Sequence, residues 1–398
     1  MSCPFAPALP APAPSATAAA PLAQRLDQVF PQLVTDRYRS IEDPQLVREI
    51  LRHAQEFTPA NALQAAVELE PATLRILARG RFALPPVLAS ASGAEHLAVR
   101  RVVAGFFSPA KVAQQREFIA ERTRELCAGL RERYRWGDEV DLAQELAAVI
   151  PPEVMARMSG TTIPPMDQLK GWSRDSLELF WGWPDARRQQ ELAHSAVGYH
   201  TWLRGSVDEA LKRDDGNLYS ALHHAGVDRA RIVSLAYFLG IAGQETTAML
   251  IQGALFTALH DGRWSRCAAA EGGDAASDSV VHEVLLHASS VPTWRRVVLS
   301  DTTLAGQNFS AGEELVLRLS GGAVAESGDD SLVFGFGLHR CLGAGLARME
   351  TEVVLRQAAG ALPDIELSDP SPGWRHLISF QTPEAVITRR KRTRERSA

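Results

Sequence analysis

Cysteine is scarce in this chain. Cys3, Cys127, Cys267 and Cys341 are four among 398 residues, and no two of them form a C-x-x-C pair. A disulfide-stapled scaffold is thereby excluded, and a reducing, cytoplasmic setting is the expectation. Positive charge is not in excess: 42 Lys and Arg stand against 47 Asp and Glu, a net charge of -5, which argues against a nucleic-acid binder. No internal repeat is visible. No secretory signal opens the sequence either, because residues 1–22, MSCPFAPALPAPAPSATAAAPL, have neither a basic start nor a continuous apolar stretch. The prolines in that stretch break any helix, so it reads as a flexible leader. Disorder as the main state is excluded by a hydrophobic content of 45%.

What is present is mostly helical patterning. Residues 43–55, 110–134, 141–157 and 187–212 carry apolar residues at three- and four-residue spacing with charges between them. Strand-like pieces are short, at 34–38, 297–299 and 315–319, the last preceded by the turn-like Ser310-Ala311-Gly312. Strands do not alternate regularly with helices, so a doubly wound sheet is not expected. The expectation is a mainly α protein with small β-sheets, as a single domain over 23–388. A solvated basic tail, 389–398, would follow it.

Residues 231–260 read RIVSLAYFLGIAGQETTAMLIQGALFTALH, and between Arg231 and His260 the only formal charge is Glu245. A helix apolar on all sides lies in a large core or in a bilayer. Gln244-Glu245-Thr246-Thr247 in mid-segment is expensive in lipid, so a core helix is expected and no membrane contact. Glu245 is then either paired with a neighbouring element or a proton-handling group beside a cavity. Gly243 leaves room for something bulky at the backbone, and Thr246 offers a hydroxyl that donates and accepts.

The segment Phe334-Gly335-Phe336-Gly337-Leu338-His339-Arg340-Cys341-Leu342-Gly343 competes for several readings. A dinucleotide fingerprint fails because Arg340 stands where the third glycine belongs. A zinc site fails because His339 and Cys341 have no second ligand pair at suitable spacing. A catalytic thiol ahead of a helix remains conceivable. A thiolate ligand to haem iron uses more of the segment. Gly335 and Gly337 let the backbone turn under a flat ligand, loop amides and the helix beginning at Ala344 stabilise the Cys341 sulfur, and His339 and Arg340 offer donors at the ring edge.

That segment resembles, at every defined position, the F-G-x-G-x-H-x-C-x-G haem loop of the cytochrome P450 family. Ala242-Gly243-Gln244-Glu245-Thr246-Thr247 is similar to the family's oxygen-activating A-G-x-E/D-T-T. His96 and Arg100 resemble its H-x-x-x-R helix, and Arg296 its propionate-binding strand arginine. The resemblance covers roughly 25–385 and implies the family's triangular, mainly helical haem-thiolate fold. It implies haem b with Cys341 as the metal ligand, in a pocket formed by His96, Arg100, Ala242, Arg296, Phe334, Gly335, His339 and Gly343. It implies Glu245 and Thr246 as the catalytic pair of a monooxygenase that uses O2 and electrons from a ferredoxin-type donor. Leu235, Phe238, Leu239 and Ala242 would form one substrate wall and Val291 and Trp294 the facing one. The substrate expected is a medium-sized apolar or aromatic metabolite, free or carrier-bound, and the protein a monomer. Trp172, Phe180, Trp181 and Trp183 are either core packing or an apolar mouth.

Two departures stand out. Where the family has an E-x-x-R pair, Glu283 is followed by Leu286, leaving Glu283 to pair with His287 or Arg295. The connection between Gly312 and Phe334 is short and holds no counterpart of the family's meander arginine. Loss of both partners strands no buried charge. It keeps two alternatives in view: a haem-thiolate enzyme that needs no reductase (peroxide-driven, dehydrating or rearranging), and a non-catalytic protein of the same fold that recruits a partner.

Overall fold

Helices form where the apolar spacing put them. In the computed structural model, which describes residues 26–391, they include Pro44–Arg52, Gln115–Trp136, Ile150–Ser159 and Ala186–Arg213. Local chemistry sets their ends. Asp43 accepts from the Leu46 N–H ahead of Pro44 at the first helical position, and Asp185 accepts from the Arg188 N–H. Gly137 and Gly160 close two of them in the left-handed conformation. The 141–157 pattern divides into a π-helical turn, Ala143–Ala147, and the helix from Ile150.

Three expectations need correction. Residues 34–38 are not a strand: Gln32–Thr35 is a helical turn behind Pro31, and the strand is Tyr38–Ile41, whose backbone groups find partners on 314–317. The 231–260 segment is two helices, Arg229–Ala242 and Glu245–His260, parted at Gly243 and Gln244. A side chain at Gly243 would come within 2.6 Å of Met155 Cε and 2.9 Å of the Leu239 carbonyl oxygen. The basic tail begins later than 389, because Arg389 and Arg390 belong to the strand Ile387–Arg390 and pair with Glu366 and Ile365. The proposed leader, 1–22, and residues beyond 391 lie outside the described residues.

The small sheets frame one side. The largest has the order Tyr38–Ile41, Glu314–Arg318, Thr293–Val298, Phe57–Thr58, with the first pair parallel and the others antiparallel. Successive residues of a strand face opposite ways. Arg295 therefore turns inward to the Tyr38 hydroxyl and the carbonyls of Ala62, Gln64 and Phe180, while Arg296 turns to the cavity described below. The lower central helix, Glu245–His260, is buried between Ala344–Ala361 and Gly273–Ala288. Among the described residues no helix is long and apolar enough to cross a membrane.

Glu283 pairs with neither His287 nor Arg295. Its carboxylate takes Arg263 Nη1 at 2.7 Å, a tertiary partner with no regular spacing from it. Of the aromatic residues at 172–183, Phe180 and Trp181 are buried, Trp172 stacks on Tyr199, and Trp183 meets Phe30 and His376. None of them lines the main cavity, so they are packing.

Candidate active site

The main cavity, about 1390 Å³ including its mouth, lies between the broken central helix, strand Thr293–Val298 and the cysteine loop. Phe334, Gly335, Cys341 and Gly343 are part of its floor. Gly335 has φ 71° and Gly337 φ 67°, a region that penalises any side chain. A Cβ at Gly337 would also sit 2.9 Å from the Leu51 carbonyl oxygen. The Cys341 N–H donates to Phe334 O at 2.9 Å and closes the loop. Its sulfur is reached from the cavity. Burial pushes the thiol pKa up, while the Gly343 amide, Arg100, Arg340 and the Ala344 amide pull it down. A bound metal deprotonates such a thiol outright.

Beside the sulfur is a cluster of basic groups with no acid. His96 is 1% exposed and neither ring nitrogen has a partner. Its ring centre is 4.7 Å from that of His339. His339 Nε2 meets Ala91 O at 2.8 Å, and Nδ1 has no partner. Arg296 donates Nη1 to Arg295 O at 2.7 Å, leaving Nε unpartnered, and Arg100 Nη2 donates to Arg340 O at 2.6 Å. Burial, Arg296, His96 and Arg100 together push His339 down to about 4. Burial lowers Arg296 to about 10, and burial with Arg100 lowers His96. Buried cations are costly unless paired. A flat ring carrying carboxylates, held through its metal by Cys341, would supply the anions these donors lack. The residues therefore fit haem. Among the described residues no group of three His, Cys, Asp or Glu could hold a bare metal ion instead.

Away from the cysteine loop the cavity walls are largely apolar. Phe238, Leu239, Ala242, Val291 and Trp294 line the cavity as expected. Leu235 does not. It is fully buried in the core one turn beyond the cavity's end, four residues or about 6 Å up the helix from Leu239. Leu88, Ala89, Val103, Phe107, Met155, Thr247, Ser289 and Ser290 also line it. Val103 and Phe107 follow from continuing the Arg100 helix face by three and seven residues. Leu88 and Ala89 sit in a single 3-10 turn, Leu88–Ser90, too short to give a periodic signal.

The break in the central helix separates two neighbours. Thr246 lines the main cavity and its hydroxyl donates to Ala242 O at 2.7 Å. Glu245 lines a different cleft, shared with Lys170, Arg174, Arg375 and Glu384. Its carboxylate accepts from Lys170 Nζ at 2.7 Å, both side chains being under a tenth exposed. The Gly240 carbonyl, left over at the break, accepts from Gln244 Nε2 and from the Ser173 hydroxyl. Lys170 had no sequence signal, since its partner lies on another helix.

No protein-family model matches the chain. It is similar to the steroid C26-monooxygenase of Mycolicibacterium smegmatis, 26% identical over 306 residues, covering 72% of this chain and 75% of that protein. Cytochrome P450 105C1 of a Streptomyces species is 29% identical over 315 residues, covering 75% and 79%. Among solved structures, cytochrome P450 CREJ in complex with (4-ethylphenyl) dihydrogen phosphate matches with a TM-score of 0.81 at 24% identity, covering 91% of this chain and 93% of that one. The chain thus has the cytochrome P450 fold, and the curated proteins it is similar to are cytochrome P450s and monooxygenases.

Proposed function

We propose that this chain oxidises an uncharged, medium-sized apolar or aromatic small molecule, free or carrier-bound, with electrons from a ferredoxin-type donor, as a cytoplasmic monomer. The observation that carries the substrate class is the distal wall. Phe238, Leu239, Ala242, Val291 and Trp294 are apolar, and the polar atoms beside them are the hydroxyls of Thr246, Thr247, Ser289 and Ser290. The solved relative above holds an aryl phosphate. Here the cationic lining consists of Arg100, Arg296 and Arg340, grouped with the cysteine loop, so the apolar wall offers no charged group to a phosphate.

Bound through Cys341, haem supplies O2 binding and electron-rich thiolate chemistry that favours O–O cleavage. The protein's own share is different. His96, Arg100, Arg296 and His339 hold the propionates. The apolar wall excludes water and orients the substrate. Thr246 presents its hydroxyl to the cavity for hydrogen bonding where charge develops, and Glu245, paired with Lys170 in the neighbouring cleft, is the adjoining acid–base group of the same helix.

The test is a reduced-CO difference spectrum followed by turnover on a panel of uncharged and phosphorylated aromatic compounds. A surrogate ferredoxin system and a hydrogen peroxide feed are run in parallel. Product from uncharged compounds with ferredoxin supports the proposal. Product only with peroxide favours the reductase-independent alternative, to which the short 313–333 connection on the thiolate side lends weight. Preference for the phosphorylated compounds overturns the substrate class. The propionate assignment has its own check. Arg296→Ala and the His96→Ala/Arg296→Ala pair are expected to lose haem to an apomyoglobin trap about ten-fold or more faster than wild type, as befits lost buried charge-assisted hydrogen bonds. Equal transfer rates would remove these residues from the cofactor site.

A further inference from the structure

The short connection that replaces the family's meander does not leave the cysteine loop unsupported. Asp329 and Asp330 reach in opposite directions from it. Asp330 meets Arg348 at 3.4 Å and His282 at 3.6 Å, on the helices Ala344–Ala361 and Gly273–Ala288. Asp329 forms an ion pair with Arg48 on the helix Pro44–Arg52. The Arg48 guanidinium makes two more contacts. It donates to the Ser331 hydroxyl at 2.7 Å and lies 5.1 Å from the ring centre of Phe336, inside the cysteine loop.

We propose that Arg48 is a positioning residue for the haem ligand, fixing the cysteine loop in place of the buried Glu–Arg network that Leu286 precludes. The inference rests on the haem-thiolate assignment of Cys341. The physical link is continuous. Arg48 fixes Asp329 and Ser331, Leu332 O accepts the Gly335 N–H at 2.7 Å, and Phe334 O accepts the Cys341 N–H at 2.9 Å. From the other side Arg48 holds Phe336, and Gly337 is seated against the Leu51 carbonyl of the same helix. One side chain thus touches the loop's approach and the loop itself.

The experiment follows the reduced CO complex of the haem-loaded full chain, timing decay of the thiolate band near roughly 450 nm into the shorter-wavelength band of a neutral or lost thiol ligand. Helical circular dichroism is recorded alongside. Arg48→Leu is expected to speed the decay about ten-fold, the sum of a half-exposed ion pair and a cation–π contact, with helical signal and haem content unchanged. Arg48→Lys falls between, and Phe336→Leu moves in the same direction. In the double variant the two effects add to less than their sum, because they share a contact. Arg229→Leu, which breaks a comparable ion pair with Asp208, behaves as wild type. Wild-type decay in Arg48→Leu, or equal acceleration in Arg229→Leu, overturns the proposal. If Arg48→Leu fails to fold, wild-type decay in both Arg48→Lys and Phe336→Leu overturns it. Absence of the thiolate band in the wild type overturns the assignment of Cys341 instead.

Discussion

Replacing Cys341 with alanine is expected to abolish the thiolate-type band of the reduced CO complex, near roughly 450 nm, while leaving the fold in place. The side chain opens on the cavity, so its truncation costs little packing. The loop is closed by backbone bonds, Cys341 N–H to Phe334 O and Gly335 N–H to Leu332 O, which alanine keeps. Haem should bind more weakly, held by His96, Arg100, Arg296 and His339 alone. A spectrum unchanged from wild type would show that another group ligates the iron.

The second large effect concerns the pair at the helix break. Thr246→Ala removes the hydroxyl from the main cavity and frees the Ala242 carbonyl. The variant should bind haem and consume electrons, yet release much of that reducing power as hydrogen peroxide. Losing a proton-transfer group typically costs about 100- to 10,000-fold, and water taking the hydroxyl's place softens it. Glu245→Gln should slow turnover while leaving more product per electron. It also strands Lys170, a buried cation, so a lower Tm is expected; breaking a buried pair from one side costs about 3–5 kcal/mol. The measurement is product formed per electron consumed, with a substrate that shifts the haem spectrum. Equal coupling in wild type and Thr246→Ala would remove Thr246 from the mechanism.

The cysteine loop was legible in the sequence because its parts are contiguous. Gly335, His339 and Cys341 lie within seven residues and line one cavity, and the backbone between them has little freedom to place them elsewhere. Arg296 was singled out through resemblance alone, and it lines the cavity. The break at Gly243 was not, since 231–260 is nearly uniform in hydrophobicity and periodicity has nothing to register there. Leu235 misled because a helix face continues past the end of the cavity it borders. For Glu283 the partner expected was wrong, and for Glu245 pairing was one of two readings but its partner could not be named. Each found a cation on another element, Arg263 and Lys170, and pairings set by packing leave no spacing to read.

The break at Gly243 and Gln244 gives two adjacent residues two different solvents. Thr246 shares its surroundings with whatever fills the main cavity, and loses water whenever a large substrate enters. Glu245 faces its own cleft, between Lys170, Arg375 and Glu384, which the contents of the main cavity do not enter. The acid's surroundings are thus separate from the size of the cargo. Phe238, Leu239 and Trp294 line only the main cavity, so enlarging or trimming them leaves the Glu245–Lys170 pair untouched.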